Sequence, residues 1–181
     1  RLSGRTGLVA VKGELWETKP GRRKLASMRD MLPMLAAGSV TADVTAELVW
    51  AGRGTAKEIA EAKVEGKIVV AEGSLMAAYG AASAQGALGV VSISMSRPYF
   101  DPLQMPWSGI MPRRRPGGAG PGQPGQSAAP APQPATFAFQ LPVREGDILK
   151  RRLLANERIT VRAQVESRTE TADLENGVAH I

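Results

Sequence analysis

The sequence predicts an α/β fold that combines a small parallel core sheet, an antiparallel strand layer and flanking helices. The first observation is that two runs rich in Val and Ile, at 67–73 and 88–94, flank a helix-length segment. Such short runs bounded by glycine favour buried strands, because β-branched side chains fit a pleated surface. A strand, a helix and a strand within about 30 residues form a βαβ unit, whose strands are normally parallel. The second observation is an alternation of apolar and polar residues at 158–168, which is typical of a long strand with one solvated face.

The segment between the two Val-rich runs has the features of a helix. Ser74 is placed to cap its N-terminus, and Gly86 lies where a helix often ends in a left-handed residue. Leu75, Ala78 and Tyr79 fall on one helical face, which suits packing against a sheet.

Four elements are predicted before this unit. Residues 8–16 form a strand by their composition, and the apolar residues of 25–35 recur at spacings of three and four, which predicts a helix. Residues 42–50 alternate and predict a half-exposed strand. Thr55 can cap a short helix at 56–63.

Two further elements are predicted between the unit and the last long strand. Residues 136–141 form a strand, and 143–155 form a helix that turns Ile148, Leu149 and Leu153 inward. The basic residues of this helix are expected to stay in water: Arg144, Lys150, Arg151 and Arg152.

Residues 111–135 are of low complexity, with three arginines followed by Gly, Pro, Gln and Ala. Such a composition cannot bury enough apolar surface to offset the entropy of ordering the chain. We therefore expect a flexible excursion here.

Composition limits the classes of protein to consider. The 181 residues suffice for one domain with a core, and the net charge of +6 permits an acidic partner without requiring one. The sequence has no Cys, which excludes disulfides and thiolate metal sites. No apolar run approaches the ~20 residues that cross a bilayer, so no membrane partner is expected.

The chain opens at Arg1 without an initiator Met or signal peptide, and we expect it to be a fragment of a longer protein.

The order of residues in the central unit resembles the protease-associated domain. In that family a Gly-Lys-Ile-Val strand precedes a helix and a Gly-Ala-x-Gly-Val strand. Here residues 66–70 read GKIVV and residues 86–94 read GALGVVSIS. The upstream strand at 43–49, DVTAELV, and the glycine-rich turn after it are also similar to the family. The resemblance implies β/β/α layers around the small parallel sheet.

The C-terminal part resembles the form of this domain inserted in secreted bacterial zinc metallopeptidases of the aminopeptidase Y and glutamate carboxypeptidase type. The segments FAFQLP, ITVRAQVESRTET and LENGVAHI follow in the order found there. The resemblance implies a flanking segment at 1–42 packed on the domain and a protease-associated domain at 43–173. It further implies that the low-complexity insertion at 111–135 departs from the family, and that 174–181 begin an absent catalytic domain.

The resemblance implies a non-catalytic domain that shapes substrate access to a zinc-dependent peptidase or mediates protein contacts. Its partners would be its own catalytic domain, which holds the zinc, and a peptide or protein substrate, and the protein would be secreted or periplasmic. No cofactor is expected in this chain itself. Candidate contact residues lie in the loop after the core: Tyr99, Phe100, Trp107, Arg113, Arg114 and Arg115.

The residues show no catalytic constellation of their own. The one histidine, His180, has no neighbouring ligands in the sequence, whereas a catalytic zinc normally takes three. No nucleophile elbow surrounds any Ser, and the carboxylates show no acid/base spacing. The basic clusters lack interleaved aromatics, which makes nucleic acid an unlikely partner. An independent binding module that holds acidic protein, glycan or nucleic acid through its basic loop remains the alternative, and a self-sufficient enzyme is the weakest hypothesis.

Overall fold

The computed structural model of the chain describes residues 2–93, 103, 105–110 and 136–174, with side chains from residue 7 to residue 171 of these ranges. No helix within these ranges is long and apolar enough to cross a membrane. The expected excursion at 111–135 and the segment at 175–181 lie outside them. The elements follow in this order: β1 (Leu2–Lys19), β2 (Arg23–Ser27), a 3₁₀ turn (Leu32–Met34), β3 (Ala42–Trp50), α1 (Ala56–Glu61), β4 (Ile68–Ala71), α2 (Leu75–Ala84), β5 (Gly89–Ser92), β6 (Phe137–Gln140), α3 (Val143–Leu154) and β7 (Thr160–Leu174).

The strands form one seven-stranded sheet in the order β2-β1-β7-β3-β4-β5-β6. From β3 to β6 the neighbours are parallel, and from β2 to β3 they are antiparallel. β3 therefore belongs to both parts, because it pairs with β7 through its first half and with β4 through its last three residues. The predicted α/β fold with parallel and antiparallel parts is confirmed.

Two apolar cores show how the layers pack. Alternate residues of β4 enter different cores: Ile68 and Val70 face one that also contains residues of β1, β2 and β7. Val69 and Ala71 face the other, which contains the buried sides of α1 and α2. The parallel strands therefore lie between an antiparallel strand layer and a helix layer, as β/β/α packing requires.

The caps predicted from the sequence are present at two of three positions. Thr55 Oγ1 accepts from the Glu58 backbone N–H, and the Glu58 carboxylate accepts from the Thr55 N–H at 3.0 Å, which is a capping box. The Thr55 hydroxyl also donates to the Glu58 carboxylate at 2.6 Å, and this bond, followed by those from the backbone N–H groups of Arg53 and Thr55, lowers the pKa of Glu58. Gly86 has φ +76°, in the left-handed region. Ser74 lies at the N-cap of α2, although its side chain makes no cap hydrogen bond.

The predicted helix at 25–35 is wrong. Residues 23–27 form β2, which pairs with β1 from Glu14 to Glu17, and only a 3₁₀ turn follows at 32–34. Hairpin pairing with β1, which precedes β2 across residues 20–22, overrides the spacing of three and four, and Pro33 lies near the N-terminus of the 3₁₀ turn. Leu32, which a helix would have buried, is 69% exposed.

Two expectations for α3 are also wrong. Leu149 is buried as predicted, but Ile148 points outward and is 37% exposed. Arg152 does not stay in water, since its guanidinium forms two hydrogen bonds, of 2.8 and 2.6 Å, with the buried carboxylate of Glu17. It also contacts Glu157 at 2.6 Å. The hydrogen bonds that Arg152 donates to Glu17, followed by those that it donates to Glu157, raise the pKa of Arg152.

We expect the substitution Arg152→Met to lower the free energy of unfolding by about 3 kcal/mol, because it leaves the Glu17 carboxylate buried without its partner. Urea unfolding followed by circular dichroism measures the change. Arg151→Met, at an exposed neighbouring position, is the control and should change stability by less than about 0.5 kcal/mol. Adding Glu17→Leu to Arg152→Met should recover most of the loss, and failure to recover it would contradict the assignment of the cost to Glu17.

Two glycines within helices should respond to alanine in opposite directions. An added Cβ at Gly146 in α3 would overlap Cγ2 of Ile93, whereas at Gly80 in α2 it would meet nothing. We expect Gly146→Ala to destabilise the protein by about 1–3 kcal/mol through overpacking. Gly80→Ala should stabilise it by roughly 0.5–1 kcal/mol, because alanine is the better helix former. Thermal unfolding of both variants measures the difference, and equal signs would contradict the packing described for α3.

Candidate functional site in the edge loops

The outer edge of β6 is covered by a loop segment that follows the 3₁₀ turn. Ala36 N–H donates to Ala138 O at 2.9 Å, and Val40 N–H donates to Thr136 O at 2.8 Å. The Ser39 hydroxyl accepts from the Ala138 N–H at 3.2 Å. These bonds hold the segment against the last parallel strand.

A second loop segment lies against the first. Ala37 N–H donates to Ser108 O at 3.0 Å, and Ile110 N–H donates to Ala37 O at 2.8 Å. We call the two segments the edge loops: residues 31–40, together with residues 103 and 105–110. They continue the sheet beyond β6 without regular strand pairing. Their hydrogen bonds fix the backbone that carries the exposed side chains.

A buried amide at the end of β6 joins the edge loops. Gln140 is 2% exposed, and its Nε2 donates to Pro33 O at 3.2 Å and to Pro106 O at 3.0 Å. Both acceptors are backbone carbonyls of prolines, one in each edge loop, so a single buried amide donates to both loops. The backbone on both sides is thereby fixed to the core.

One residue beside each of these prolines is large, apolar and exposed. Leu32 is 69% exposed and Trp107 is 77% exposed, and Leu103, in the same segment as Trp107, is 46% exposed. Large apolar side chains held in water by a fixed backbone are typical of contact surfaces. Beside Trp107, the Oγ atom of Ser108 is buried and has no hydrogen-bond partner among the described residues.

Of the six contact residues suggested by the sequence, the structure describes one. Trp107 lies in the edge loops, while Tyr99, Phe100 and Arg113 to Arg115 lie outside the described residues, and their roles stay predictions. Leu32 and Gln140 were missed. Leu32 falls within the predicted helix at 25–35, whose apolar face would be buried. Gln140 has no local sequence pattern that indicates its role, because its acceptors are 107 and 34 residues away in sequence.

The carboxyl ends of the parallel strands are the usual ligand site of an α/β sheet. Here they are engaged in internal contacts. Lys150 forms an ion pair with Glu72, and its Nζ lies 5.4 Å from the centre of the Trp50 ring. The Ser92 hydroxyl donates to Gly73 O at 3.3 Å. These contacts tie α3 to the ends of β3 and β4, so the edge loops are the better candidate for a site.

The described residues do not fit a zinc site. No group of three or more His, Asp or Glu side chains within the described ranges is placed to hold a metal ion. The carboxylates with altered pKa values are held ionised by donors: Arg162 lowers the pKa of Asp43, and Arg152 lowers that of Glu157. Such groups are poor general acids near neutral pH.

We expect Gln140→Leu to loosen the edge loops, because two proline carbonyls lose their donor. The free energy of unfolding should fall by about 1–3 kcal/mol, and amide hydrogen exchange at Ala37 and Ile110 should accelerate. Trp107→Ser is the control, since its exposed side chain should change stability by less than about 0.5 kcal/mol. Unchanged exchange at both amides in Gln140→Leu would contradict the role given to this glutamine.

The fold is similar to parts of three solved peptidases. An aminopeptidase from Aneurinibacillus sp. strain AM-1 matches with a TM-score of 0.60 and 22% identity, over 93% of this chain and 35% of that one. A peptidase M28 precursor from Shewanella amazonensis SB2B has a TM-score of 0.52 and 15% identity, over 95% and 39%. BSAP, a zinc aminopeptidase from Bacillus subtilis, has a TM-score of 0.51 and 15% identity, over 94% and 35%. No protein-family model and no curated protein sequence matches the chain.

At these identities the similarity establishes the fold alone. The chain spans 35% to 39% of the length of the three peptidases, so its fold corresponds to one part of each. This agrees with the protease-associated type of fold predicted from the sequence.

Proposed function

We propose that the chain is a non-catalytic, protease-associated domain of a zinc-dependent peptidase, in which it shapes the access of peptides to the active cleft. The observation that carries this role is the match of nearly the whole chain to about a third of each of three peptidases. Bond cleavage and the zinc ion would belong to a separate catalytic domain of the same protein. We further propose a secreted or periplasmic location, which the word precursor in the name of the Shewanella peptidase supports.

The edge loops support a role in contact. Their exposed Trp107 and Leu32 offer apolar surface to a peptide or to the catalytic domain. We propose that the contact surface includes the other residues suggested by the sequence: Tyr99, Phe100, Arg113, Arg114 and Arg115.

The long pair formed by β1 and β7 supports attachment to a larger protein. It runs from Leu2 opposite Leu174 to Lys19 opposite Thr160, whereas β3 pairs with β7 only as far as Val165. Beyond that point, within the described residues, the two strands have only each other as strand neighbours. Such a ribbon is marginally stable alone in water, and three large apolar residues on it are exposed. These residues are Leu8, Val9 and Val11.

We expect the domain to alter peptide preference without supplying the chemistry. In the full-length protein, replacing the domain with a short linker should change KM or peptide preference several-fold, while a chelator still abolishes cleavage. Leu32→Ser combined with Trp107→Ser should raise KM roughly 3- to 10-fold, as the loss of one or two anchoring side chains does at other contact surfaces. Steady-state kinetics on a panel of peptides measures these effects.

Met76→Ser is the matched control, because Met76 is an exposed apolar residue on α2, outside the edge loops. It should leave KM unchanged. A variant without 111–135 separates the contribution of the insertion from that of the edge loops. Absence of chelator-sensitive peptidase activity, with and without the domain, would contradict the proposed function. Binding to a polyanion that requires Arg113, Arg114 and Arg115 would then favour an independent binding module.

A further inference from the structure

The outer face of the antiparallel layer carries a groove of about 460 Å³. The strands that form its floor are the two longest of the sheet, β1 and β7, with Trp16 directly opposite Arg162 and Glu14 opposite Gln164. Side chains on paired strands have little freedom to move apart. We call this feature the sheet groove. It is lined by Glu14, Trp16, Thr18, Arg22, Arg162 and Gln164.

Most charges around the sheet groove are neutralised by neighbours. Arg162 forms a two-pronged pair with Asp43, with Nε to Oδ1 at 2.8 Å and Nη2 to Oδ2 at 2.6 Å. Lys12 Nζ lies 3.8 Å from Glu14 Oε2 and donates to Gln164 Oε1 at 3.5 Å. These pairs fix the orientation of the lining side chains and leave little net charge on them.

Arg22 is the exception among the lining charges. Its guanidinium carbon lies 5.4 Å from the centre of the Trp16 ring, and it forms no ion pair with any described residue. The two cations that follow it are both paired, Arg23 with Glu145 at 2.6 Å and Lys24 with Asp30 at 2.6 Å. The groove therefore carries one guanidinium charge that no described residue balances.

The donors that remain free suit a carboxylate. The planar guanidinium of Arg22 lies over the indole ring and donates no hydrogen bond to a described residue. The pair with Asp43 uses Nε and Nη2 of Arg162, so Nη1 donates to no described residue. A guanidinium fork matches the two oxygens of a carboxylate, and stacking on an aromatic ring restricts the fork without hiding its edge. The volume of the groove lies within the range of sites for small ligands.

We propose that the sheet groove binds the carboxylate of a peptide, with Arg22 as its principal contact and Arg162 as the second. This site deepens the proposed function and rests on it for the expectation that the ligand is a peptide. The carboxylate comes either from an acidic side chain or from the C-terminus, since both present the same two oxygens. A neutral glycan is disfavoured, because Arg22 covers a face of the Trp16 ring on which a sugar would stack.

The test uses the full 181-residue chain and three acetylated tripeptides. One has alanine throughout and a free C-terminus, one ends in glutamate with an amidated C-terminus, and one has alanine throughout and an amidated C-terminus. The readout is the NMR signal of the Trp16 indole N–H, which donates to Glu14 at 3.2 Å within the groove. At least one of the two carboxylate peptides should bind 10-fold or more tightly than the uncharged peptide. Which of them does so identifies the source of the carboxylate.

Arg22→Gln should weaken the binding of that carboxylate peptide at least 10-fold, and Arg22→Lys should weaken it less, because it keeps the charge and loses the fork. Arg144→Gln is the matched control, since Arg144 is an exposed arginine on α3 that lines no part of the groove, and it should bind as the unaltered chain does. Circular dichroism checks that each variant folds, as expected for exposed positions.

Equal binding of the uncharged peptide, or undiminished binding by Arg22→Gln, would overturn the assignment. Maltotriose that shifts the Trp16 signal equally in the unaltered chain and in Arg22→Gln would replace it with a sugar site. Because the measurement uses this chain alone, it is independent of the peptidase assay. If the full-length protein had no peptidase activity, the proposed function would be contradicted. Carboxylate binding at the groove would still be decided by the measurement on this chain.

Discussion

The structure depends on a constraint on parallel strands, which must be covered on both faces. Every residue of β4, β5 and β6 is buried, and successive residues of each strand enter the two different cores. One cover is the helix layer, and the other is the antiparallel layer that reaches the parallel strands through β3. The antiparallel layer is therefore part of the core of this domain. Of the two faces of the antiparallel layer, only the outer one contacts water, and the polar side chains of the sheet groove therefore lie on that face.

Sequence patterns predicted the elements whose signals are local. The βαβ unit, the alternation in β3 and β7 and the capping box of Thr55 all depend on residues within a few positions of one another, and all are present. The patterns failed where pairing outside the local helical or strand pattern decides the conformation. β2 is a strand because it forms a hairpin with β1, and Arg152 is drawn from water by Glu17, 135 residues away. At the candidate site, the sequence indicates Trp107 because it is an aromatic residue in a loop of a chain with few aromatics. Gln140 acts through carbonyls that are distant in sequence and could not be found in that way.

Hydrogen bonds fix the ionisation and the position of several described polar groups. A general acid needs a carboxyl group that keeps its proton near neutral pH, and here hydrogen bonds hold three carboxylates in the ionised form. Gln140, a buried amide at the end of β6, donates to two backbone carbonyls of the edge loops and positions them. Both surfaces considered, the edge loops and the sheet groove, combine rigid backbone with exposed or unbalanced side chains. Such surfaces contact other molecules while the scaffold beneath them stays unchanged.

The ribbon formed by β1 and β7 has a mechanical consequence. β1 has 18 residues, and at about 3.3 Å per residue a strand of this length spans about 60 Å. Its pairing with β7 shifts register between Ala10 and Lys12, close to where β3 ceases to accompany the two strands. Irregularities of this kind bend and twist a ribbon locally. A second shift lies between Leu2 and Arg5, so the part of the ribbon that β3 does not accompany has two places where it can bend. If the end of the ribbon were held, a small rotation at the inner place would move the edge loops through an arc, as a lever does about its pivot.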